Sequence, residues 1–579
     1  MDATMRNLVE LFSKDSYRKY RIPMYQRNYT WERENVEQLF SDLERLVDIK
    51  GSEKHHFGSI YMKKENDDVT KSIREEEFVI IDGQQRMTTV LLVYLAMYRV
   101  SEEKQIKAKR ESDVESAIMA DRNLETLRDY LYLEDGGELR IRMELNRDDN
   151  EALDEILEGD LAGSLNLKTN YRLIDRTIRE SDYSVKNYID AIGRLEVMEV
   201  RLAEYDNEQE IFDGLNAKGK PLSFGEQMKN YFLMGKEREE QEFLYEEYWL
   251  PIERGLDYKI GDNFKNLVEL YFTIYNEAQI QGKIPNYNRA KMFIKDNNME
   301  KDEVLANLKK TLNTRTEIKE LRVRGHKIED KLARIGRIAG DKMMVFLVPT
   351  YEKYREGIIP EEEYGNVLHF LEGYLVRRML ITSGVGEESV YDWINKVGME
   401  SLESGGRYDE AIIEAMRSRI RGKGEYPTDN KIREEGVRFQ HSVRGKERRK
   451  KVYLMERLEN GHSKEYMEIL ENYGEGNAYS IEHIMPQKLT ETWESMLGDN
   501  YEEVHKEYLN TIGNLTLTGY NSRYGNKPFQ EKQNMLYGFR SSKFTWLNLM
   551  PAQEEVWTKE EIEKRARAII ERVIELYPY

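Results

Sequence analysis

The middle of this 579-residue chain, from about residue 100 to about 440, constrains the fold most because its pattern is almost entirely helical. The region is rich in Glu, Lys, Arg, Leu and Tyr, and the whole chain contains only 11 prolines. Charged residues make up 34% of the chain, which indicates long, well-solvated helices. Because this length exceeds one hydrophobic core, we expect about two to four domains and an α+β, predominantly helical fold.

The absence of cysteine excludes several kinds of chemistry. Without it the chain has no disulfides, thiolate metal sites or cysteine nucleophiles. No apolar run is long enough to span a bilayer, and the residues Met1–Thr4 lack the pattern of a secretory signal. We therefore expect a cytoplasmic protein with no membrane partner.

The charge distribution leaves two basic clusters open to interpretation. The net charge of −19 argues against a surface uniformly suited to DNA, although binding depends on local patches. Each cluster is either a solvated helix face or a nucleic-acid contact. The first comprises Arg417, Arg419, Arg421 and Lys423, and the second comprises Arg444, Lys446, Arg448, Arg449, Lys450 and Lys451.

A short segment near the C-terminus, Ser480–Gln487, places Glu482 directly before His483. Hydrolysis of a phosphodiester needs a base that activates water and a cation that stabilises the developing charge. Histidine has the pKa range of such a base, and a carboxylate is a hard ligand suited to Mg²⁺ or Mn²⁺. Because neighbours on a strand point to opposite faces, a bend is needed if both side chains are to serve one site.

Two asparagines downstream extend this pattern. Asn514 lies in the tight Ile512–Asn514 turn, where its amide can orient the imidazole. Asn521 can supply a second oxygen ligand, and Arg523 and Lys527 can hold phosphates of DNA. The alternative is a buried structural histidine. The joint occurrence of the Glu-His pair and both asparagines favours a metal-dependent phosphodiesterase.

The N-terminal region contains a strand-turn-helix pattern suited to an anion. A β-type run, Glu77–Ile81, ends at the turn Asp82-Gly83. The apolar segment Thr88–Val100 follows as a helix, which Thr88 and Thr89 cap. Free N–H groups and the helix dipole both point at such a turn. The pattern therefore predicts a site for a negatively charged ligand.

The side chains of this turn suit a nucleotide. Gly83 permits close backbone approach, and Arg86 offers a planar fork for phosphate. Asp82 can bind a metal or a sugar hydroxyl, and Gln84 and Gln85 can pair with a base or ribose. The segment is not a P-loop, since Gly-Lys-Ser/Thr is absent. The alternative is a structural turn with Arg86 in an ion pair.

An aromatic segment, Ile22–Trp31, precedes an amphipathic helix whose apolar face carries Leu39, Leu43 and Leu46. Its aromatic side chains either stack on a base or belong to the core. They are Tyr25, Tyr29 and Trp31.

The stretch from about residue 440 to 560 resembles the His-Asn-Asn subclass of ββα-metal (HNH) endonucleases. In GmrSD-type modification-dependent (type IV) restriction enzymes this is the C-terminal domain. The resemblance implies that His483 is the general base, that Glu482 and Asn521 hold the metal, and that Asn514 orients the base. The matching residues are Ile481–Gln487, Trp493, Ile512–Leu517, Asn521 and Lys527–Lys532.

The N-terminal motifs resemble the ParB/sulfiredoxin-like domain of the same family, and the segment Ile211–Leu222 matches its later part. Glu226 stands where that family usually has Asp. The resemblance implies NTP hydrolysis and sensing of modified DNA. Tyr25, Gln26 and Arg27 match the region where related phosphorothioate-sensing effectors contact DNA, so they serve either the DNA or the nucleotide. The residues implied at the nucleotide are Asp82, Gly83, Gln84, Gln85, Arg86 and Thr88.

The resemblance predicts three parts: a ParB-like α/β domain over residues 1–235, a helical connecting region over 236–435 and an HNH nuclease domain over 436–579. We expect an endonuclease that cuts modified foreign (phage) double-stranded DNA. It uses Mg²⁺ or Mn²⁺ and hydrolyses GTP or ATP, as a monomer or a homodimer. The modification is either glucosylated hydroxymethylcytosine or phosphorothioate.

Two other functions remain open at this stage. One is a modification-independent nickase or toxin-like nuclease in which the N-terminal domain is a regulatory switch. The other is a DNA-binding scaffold with a decayed nuclease fold, against which the intact His483 and both asparagines argue.

Overall fold

The computed structural model divides the chain into two compact units. The first comprises Met1–Asn266 and Lys283–Lys309, and the second comprises Leu267–Gly282 and Lys310–Tyr579. The chain is 63% helical with a mixed sheet, which confirms the predicted fold class. The boundaries expected at residues 235 and 435 stay predictions. The residues that the structure describes are 1–13, 16–49, 51–65, 76–135, 138–216, 222–256, 260–275, 286–382, 388–419, 424–441, 445–463, 465–473 and 479–579.

The strands are β1 Asp2–Asn7, β2 Arg18–Arg21, β3 His55–Lys64, β4 Glu76–Asp82, β5 Tyr132–Asp135, β6 Glu138–Ile141, β7 Met143–Glu144, β8 Leu195–Leu202, β9 Ser480–His483 and β10 Leu515–Thr518. Within the described residues, the first unit contains a mixed six-stranded sheet in the order β1-β8-β3-β4-β2-β7. β4 lies inside this sheet, antiparallel to β3 and parallel to β2, and ends at Asp82. This confirms the strand predicted before the Asp82-Gly83 turn.

The helices up to residue 319 are α1 Leu8–Phe12, α2 Arg33–Asp48, α3 Gln84–Glu111, α4 Val114–Leu131, α5 Arg147–Glu158, α6 Asn166–Glu180, α7 Val185–Ile192, α8 Glu208–Asn216, α9 Phe224–Leu233, α10 Arg238–Leu244, α11 Leu250–Gly255, α12 Ile260–Tyr275, α13 Tyr287–Asp296 and α14 Lys301–Lys319. The first half of α3 is buried nearly all round, because it packs in the core of the first unit. α2 buries Leu39, Leu43 and Leu46, as its apolar spacing predicts.

The helix of the N-terminal motif begins earlier than the sequence predicts. α3 starts at Gln84, four residues before Thr88, and Thr88 is a buried residue of its second turn rather than the cap. Gly83 occupies the N-cap position with a φ of 96°. Because this left-handed conformation turns the chain within one residue, the helix follows the strand directly.

The helices beyond residue 319 are α15 His326–Gly336, α16 Met344–Arg355, α17 Glu361–Met379, α18 Glu388–Glu403, α19 Tyr408–Ser418, α20 Asp429–Glu435, α21 Gly445–Asn460, α22 Glu491–Leu497, α23 Tyr501–Tyr508, α24 Asn521–Tyr524, α25 Phe529–Asn534, α26 Leu549–Gln553 and α27 Lys559–Leu576. Thr558, a residue type favoured at helix starts, caps α27 in a capping box with Glu561. The buried Arg565 of α27 donates to the backbone carbonyls of Ile512, Gly513 and Leu515 at 2.8–3.1 Å, and so fixes the turn before β10.

The basic clusters do not form continuous exposed faces among the described residues. Lys451 is 1% exposed and donates to the carbonyl of Met379 at 3.2 Å. Arg448 lies over the ring of Tyr473, and Arg417 lies over the rings of Phe370 and Tyr579. Arg421, Lys423 and Arg444 lie outside the described residues. The same holds for Ala217–Pro221, which belongs to the matching segment Ile211–Leu222.

No helix in the described part of the chain is both long and apolar enough to cross a membrane.

Candidate functional site

The Glu-His motif lies on β9, which pairs antiparallel with β10 so that Glu482 is opposite Thr516 and His483 is opposite Leu515. Both residues are buried: Glu482 is 4% exposed and His483 is 7% exposed. The ladder continues past the strand, because the N–H of Ile484 donates to the carbonyl of Asn514 at 3.0 Å. The strand that carries the motif was predicted, and its pairing with the Ile-Gly-Asn segment brings the two motifs together.

The imidazole of His483 is held from both ring nitrogens. Nε2 lies 3.0 Å from Oδ1 of Asn510, and Nδ1 lies 3.4 Å from Nε2 of Gln487. Because Asn510 presents an acceptor, Nε2 carries the proton and Nδ1 keeps its lone pair. Burial lowers the pKa of His483, while the bond to Asn510 opposes that effect. The ring is therefore neutral and basic at Nδ1 near neutral pH.

Glu482 forms a buried ion pair with Lys532 of α25. Lys532 Nζ lies 2.6 Å from Glu482 Oε1 and donates to the carbonyls of His483 and Ile484 at 3.0 and 3.1 Å. Its three N–H groups therefore serve three consecutive residues of the motif. Burial raises the pKa of Glu482 to about 7, and the ammonium of Lys532 opposes that rise. Lys532 lies in the matching motif, but sequence reasoning assigns it no role.

Asn514 acts on the loop after the imidazole rather than on the ring. Its Oδ1 accepts from the N–H of Met485 at 2.7 Å, and its Nδ2 donates to the carbonyl of Met485 at 3.1 Å. The indole of Trp557 also donates to its Oδ1, at 3.2 Å. The ring partner is Asn510 instead, which sequence reasoning missed. Its only signal was a second amide four residues before Asn514.

Asn521 is the first residue of α24, and its Nδ2 donates to the carbonyl of Ile481 at 2.6 Å. This bond ties the helix to β9 directly beside Glu482 and leaves Oδ1 as the acceptor of the amide. A carboxylate and an amide oxygen are hard donors that fit Mg²⁺ or Mn²⁺, which keep several waters as ligands. Over the described residues, no group of three or more His, Asp or Glu suited to a metal occurs.

The two cations predicted to hold phosphate lie on either side of α24's end. Arg523 is an exposed residue within α24, and its guanidinium lies 5.2 Å from the ring centre of Tyr520. Lys527 follows the helix and forms an ion pair with Glu531. Trp493 donates to the carbonyl of Lys527 at 2.9 Å, which fixes the backbone there.

In the first unit, the predicted nucleotide turn borders a cavity of about 560 Å³. Gly83 lies so close to β3 that a Cβ would sit 3.1 Å from the carbonyl oxygen of Ser59. Gly83 has no side chain with which to cap α3, so it leaves the N–H groups of the first helical turn to other acceptors, such as a ligand. The lining includes Gln26, Arg27, Thr30, Trp31, Asp82, Gly83, Gln84, Gln85, Arg86 and Phe212.

Arg86 is held by a backbone carbonyl of β3. Its Nη1 donates to the carbonyl of Ser59 at 2.7 Å. Its guanidinium packs on Gly58, where a Cβ would come within 2.9 Å of Nε. Gly58 also has a φ of 112°, which favours glycine. The segment Phe57–Ile60 of β3 therefore positions the guanidinium of Arg86 at the edge of the cavity.

The glutamines of this region have different environments. The side chain of Gln85 binds the backbone of the aromatic segment. Its Oε1 accepts from Thr30 N at 2.7 Å, and its Nε2 donates to Asn28 O at 3.3 Å. Gln26 is 1% exposed, and its Nε2 donates to the carbonyls of Ile80 and Ile81. Within the described residues, Oε1 of Gln26 and Oε1 of Gln84 are buried without a hydrogen-bond partner. Both residues line the cavity.

The residues expected at DNA in this segment are mostly buried. Tyr25 is 1% exposed, and Tyr29 is 3% exposed with its hydroxyl 2.8 Å from Thr89 Oγ1. Both rings therefore belong to the core, which was one of the two interpretations of the aromatic segment. Arg27 lines the cavity, and its carbonyl accepts from Asn146 at 3.2 Å.

Two family models match the chain at the positions of these sites. Residues 8–233 match the N-terminal domain of the GmrSD restriction endonuclease, and residues 426–572 match the C-terminal domain of GmrSD restriction endonucleases. Together the two matches cover more than half of the chain. A curated relative, an uncharacterized protein of Methanocaldococcus jannaschii, is 30% identical over 95 residues, which span 15% of this chain and 16% of that relative.

Proposed function

Because the chain belongs to the GmrSD restriction endonuclease family, we propose that it is a nucleotide-dependent endonuclease that cleaves modified foreign DNA with a metal ion. Membership of the family supports the assignment of the chain as a DNA endonuclease that acts in restriction. We assign DNA cleavage to the site around His483, and we assign NTP hydrolysis to the cavity beside Arg86.

The observation that carries the proposal is the buried imidazole of His483 with its proton directed to Asn510. Nδ1 is then the nitrogen that accepts a proton from the attacking water. The lowered pKa keeps the ring in its basic form. Gln487, 3.4 Å from Nδ1, limits how the ring can rotate.

Glu482 and Asn521 are the residues that would hold Mg²⁺ or Mn²⁺. When bound, the metal stabilises the charge that develops on the phosphate and the leaving oxygen. Lys532 binds Oε1 of Glu482 and also donates to the backbone carbonyls of His483 and Ile484. Lys532 therefore holds the carboxylate of Glu482 at the residue that precedes the base, and the strand bend expected from the sequence stays a prediction.

The cavity of the first unit has the size and chemistry for a nucleoside triphosphate. About 560 Å³ lies in the usual range of small-molecule sites. The N–H groups of the first turn of α3 and the fixed guanidinium of Arg86 suit phosphates. The unpartnered Oε1 atoms of Gln26 and Gln84 are acceptors suited to N–H or O–H groups of a base or ribose. Asp82, at the same edge, suits a cation on the phosphates.

A cleavage panel tests the whole proposal. The purified chain is incubated with unmodified, glucosylated hydroxymethylcytosine and phosphorothioate DNA, each with ATP, GTP or neither and with Mg²⁺, Mn²⁺ or EDTA. We expect cleavage of one modified DNA, which requires a nucleotide and a divalent ion. Equal cleavage of unmodified DNA without nucleotide contradicts the proposal and favours the modification-independent nickase.

Arg86→Ala tests the nucleotide cavity separately. Losing one charge-assisted bond to phosphate corresponds to a loss of about 10- to 100-fold in NTP turnover per unit enzyme. Arg110→Ala, an exposed arginine in the last turn of the same helix, is the matched control and keeps parental turnover. Parental turnover in Arg86→Ala contradicts the assignment of the cavity.

A further inference from the structure

Two tyrosines beside the nuclease site are stacked on each other at the surface. The rings of Tyr520 and Tyr537 have centroids 4.2 Å apart and lie within 9° of parallel. Their residues are 36% and 42% exposed. Such a stack, here called the tyrosine platform, leaves flat aromatic surface in water, which gains little for folding.

The tyrosine platform is built on the same two short helices as the nuclease site. Tyr520 directly precedes Asn521, the first residue of α24. Tyr537 follows α25, which carries Lys532 to Glu482. The hydroxyl of Tyr524 in α24 donates to the carbonyl of Tyr537 at 2.9 Å and joins the two segments. The position of the tyrosine platform is therefore fixed relative to Glu482 and Asn521.

A cation lies beside the stack rather than over it. The guanidinium of Arg523 is 5.2 Å from the ring centre of Tyr520 and 5.9 Å from that of Tyr537. Nearly equal distances place the guanidinium alongside both rings, because a cation over one outer face would be much farther from the second ring. Arg523 therefore does not cover an outer face of the stack, and the partial exposure of Tyr520 and Tyr537 leaves ring surface in contact with solvent, with a positive charge at its edge.

The backbone at the tyrosine platform is unusual for an exposed segment. Tyr537 has a φ of 65°, a left-handed conformation that bulky residues seldom adopt. Its neighbour Leu536 is 70% exposed, so this strained segment lies at the surface. Strained backbone of this kind is characteristic of functional sites.

We propose that the tyrosine platform stacks on a nucleobase of the DNA substrate next to the cleaved phosphate, while Arg523 holds an adjoining backbone phosphate. This proposal rests on the proposed nuclease function and deepens it by assigning a substrate contact. The chemistry selects nucleic acid, because a base supplies a flat π-face and its strand supplies an anion at the edge of that face. Every base has such a face, so the contact adds affinity without reading the modification.

Fluorescence of 2-aminopurine tests the stack without depending on cleavage. The base analogue is scanned along a duplex and bound to the His483→Ala protein, which leaves the DNA intact. In that background, Tyr520→Leu/Tyr537→Leu removes the rings, and Tyr520→Phe/Tyr537→Phe keeps them as the matched control. Hydrogen exchange of α24 and α25 checks that each variant retains the local fold.

We expect quenching at one or two adjacent positions in the tyrosine and phenylalanine proteins. The leucine protein loses the quenching and binds DNA about 10-fold or more weakly. Arg523→Gln keeps the quenching and lowers the salt slope of binding by about 0.9, as expected for one lost phosphate contact. Equal affinity and quenching in the leucine protein, with its local fold intact, overturn the proposal. Tyrosine-dependent quenching in a chain whose parent cuts no DNA supports the tyrosine platform while the proposed nuclease function fails.

Discussion

Lys532→Met removes the cation that holds Glu482 and the backbone around His483. The ammonium is fully buried and has acceptors on three consecutive residues, of which Glu482 Oε1 is the nearest at 2.6 Å. Methionine has a similar length but neither charge nor donors. The variant therefore leaves a buried carboxylate without its partner.

The size of the effect follows from the pair. At an effective dielectric constant of about 20, charges at this distance attract by roughly 6 kcal/mol, most of which offsets the cost of burying both. Removing one partner of such a pair costs about 3–5 kcal/mol, because the remaining charge is not compensated. Glu482→Gln in the same chain removes that charge, so the double variant is expected to regain most of the loss.

Hydrogen exchange of peptides covering β9 and β10, in EDTA, measures this local stability in the full chain. We expect exchange in Lys532→Met to be more than about 100-fold faster than in the parent. Lys564→Met is the matched control. Lys564 forms an ion pair with Glu554 at 2.8 Å, but its side chain is 65% exposed. Exposed ion pairs contribute at most about 1 kcal/mol to the free energy of unfolding. Parental exchange in Lys532→Met, or a double variant no better than the single one, refutes the reasoning.

Three further variants probe the imidazole and the N-terminal unit. Asn510→Ala removes the acceptor for Nε2–H of His483 and should lower the cleavage rate about 10-fold. Asn510→Asp should keep cleavage and move the acid limb of the pH-rate profile to higher pH. Unchanged profiles in both variants contradict the assignment of Asn510 as the partner of the imidazole. Burial raises the pKa of Asp149 to about 6. The chain is therefore most stable with Asp149 protonated, below about pH 4, and it loses that part of its free energy of unfolding as the pH rises through about 6. Asp149→Asn, which keeps an acceptor for Tyr29 N, should therefore stabilise the chain by at most about 3 kcal/mol above pH 6 and by little below pH 4; an unfolding-midpoint difference that is the same at both pH values contradicts this.

The sequence predicts the local elements around both sites because each depends on a few neighbouring residues. Thr558 and Glu561 form the capping box that starts α27, and the β-branched run before Asp82 forms β4. The start of α3 was placed four residues too late, because Gly83 rather than Thr88 precedes the first turn. A helix register of this kind depends on one backbone dihedral that residue types alone do not reveal.

Long-range partners could not be predicted in the same way. Lys532 and Asn510 reach the Glu-His motif from positions 50 and 27 residues away, and nothing in their local sequence marks them as buried contacts. Tyr25 and Gln26 have the residue types of a DNA contact but are buried, and the amide of Gln26 donates to the carbonyls of Ile80 and Ile81 in β4. Pairing through the fold, rather than composition, decides which polar residues reach the site.

The most direct test of the account is single-turnover cleavage of modified DNA by His483→Ala, measured beside NTP hydrolysis by the same protein. We predict that cleavage is lost while NTP turnover stays at the parental rate, because the base and the nucleotide cavity are separate sites. His326→Ala, whose side chain is 95% exposed, is the matched control and keeps both activities. Parental cleavage by His483→Ala would contradict the assignment of the nuclease site.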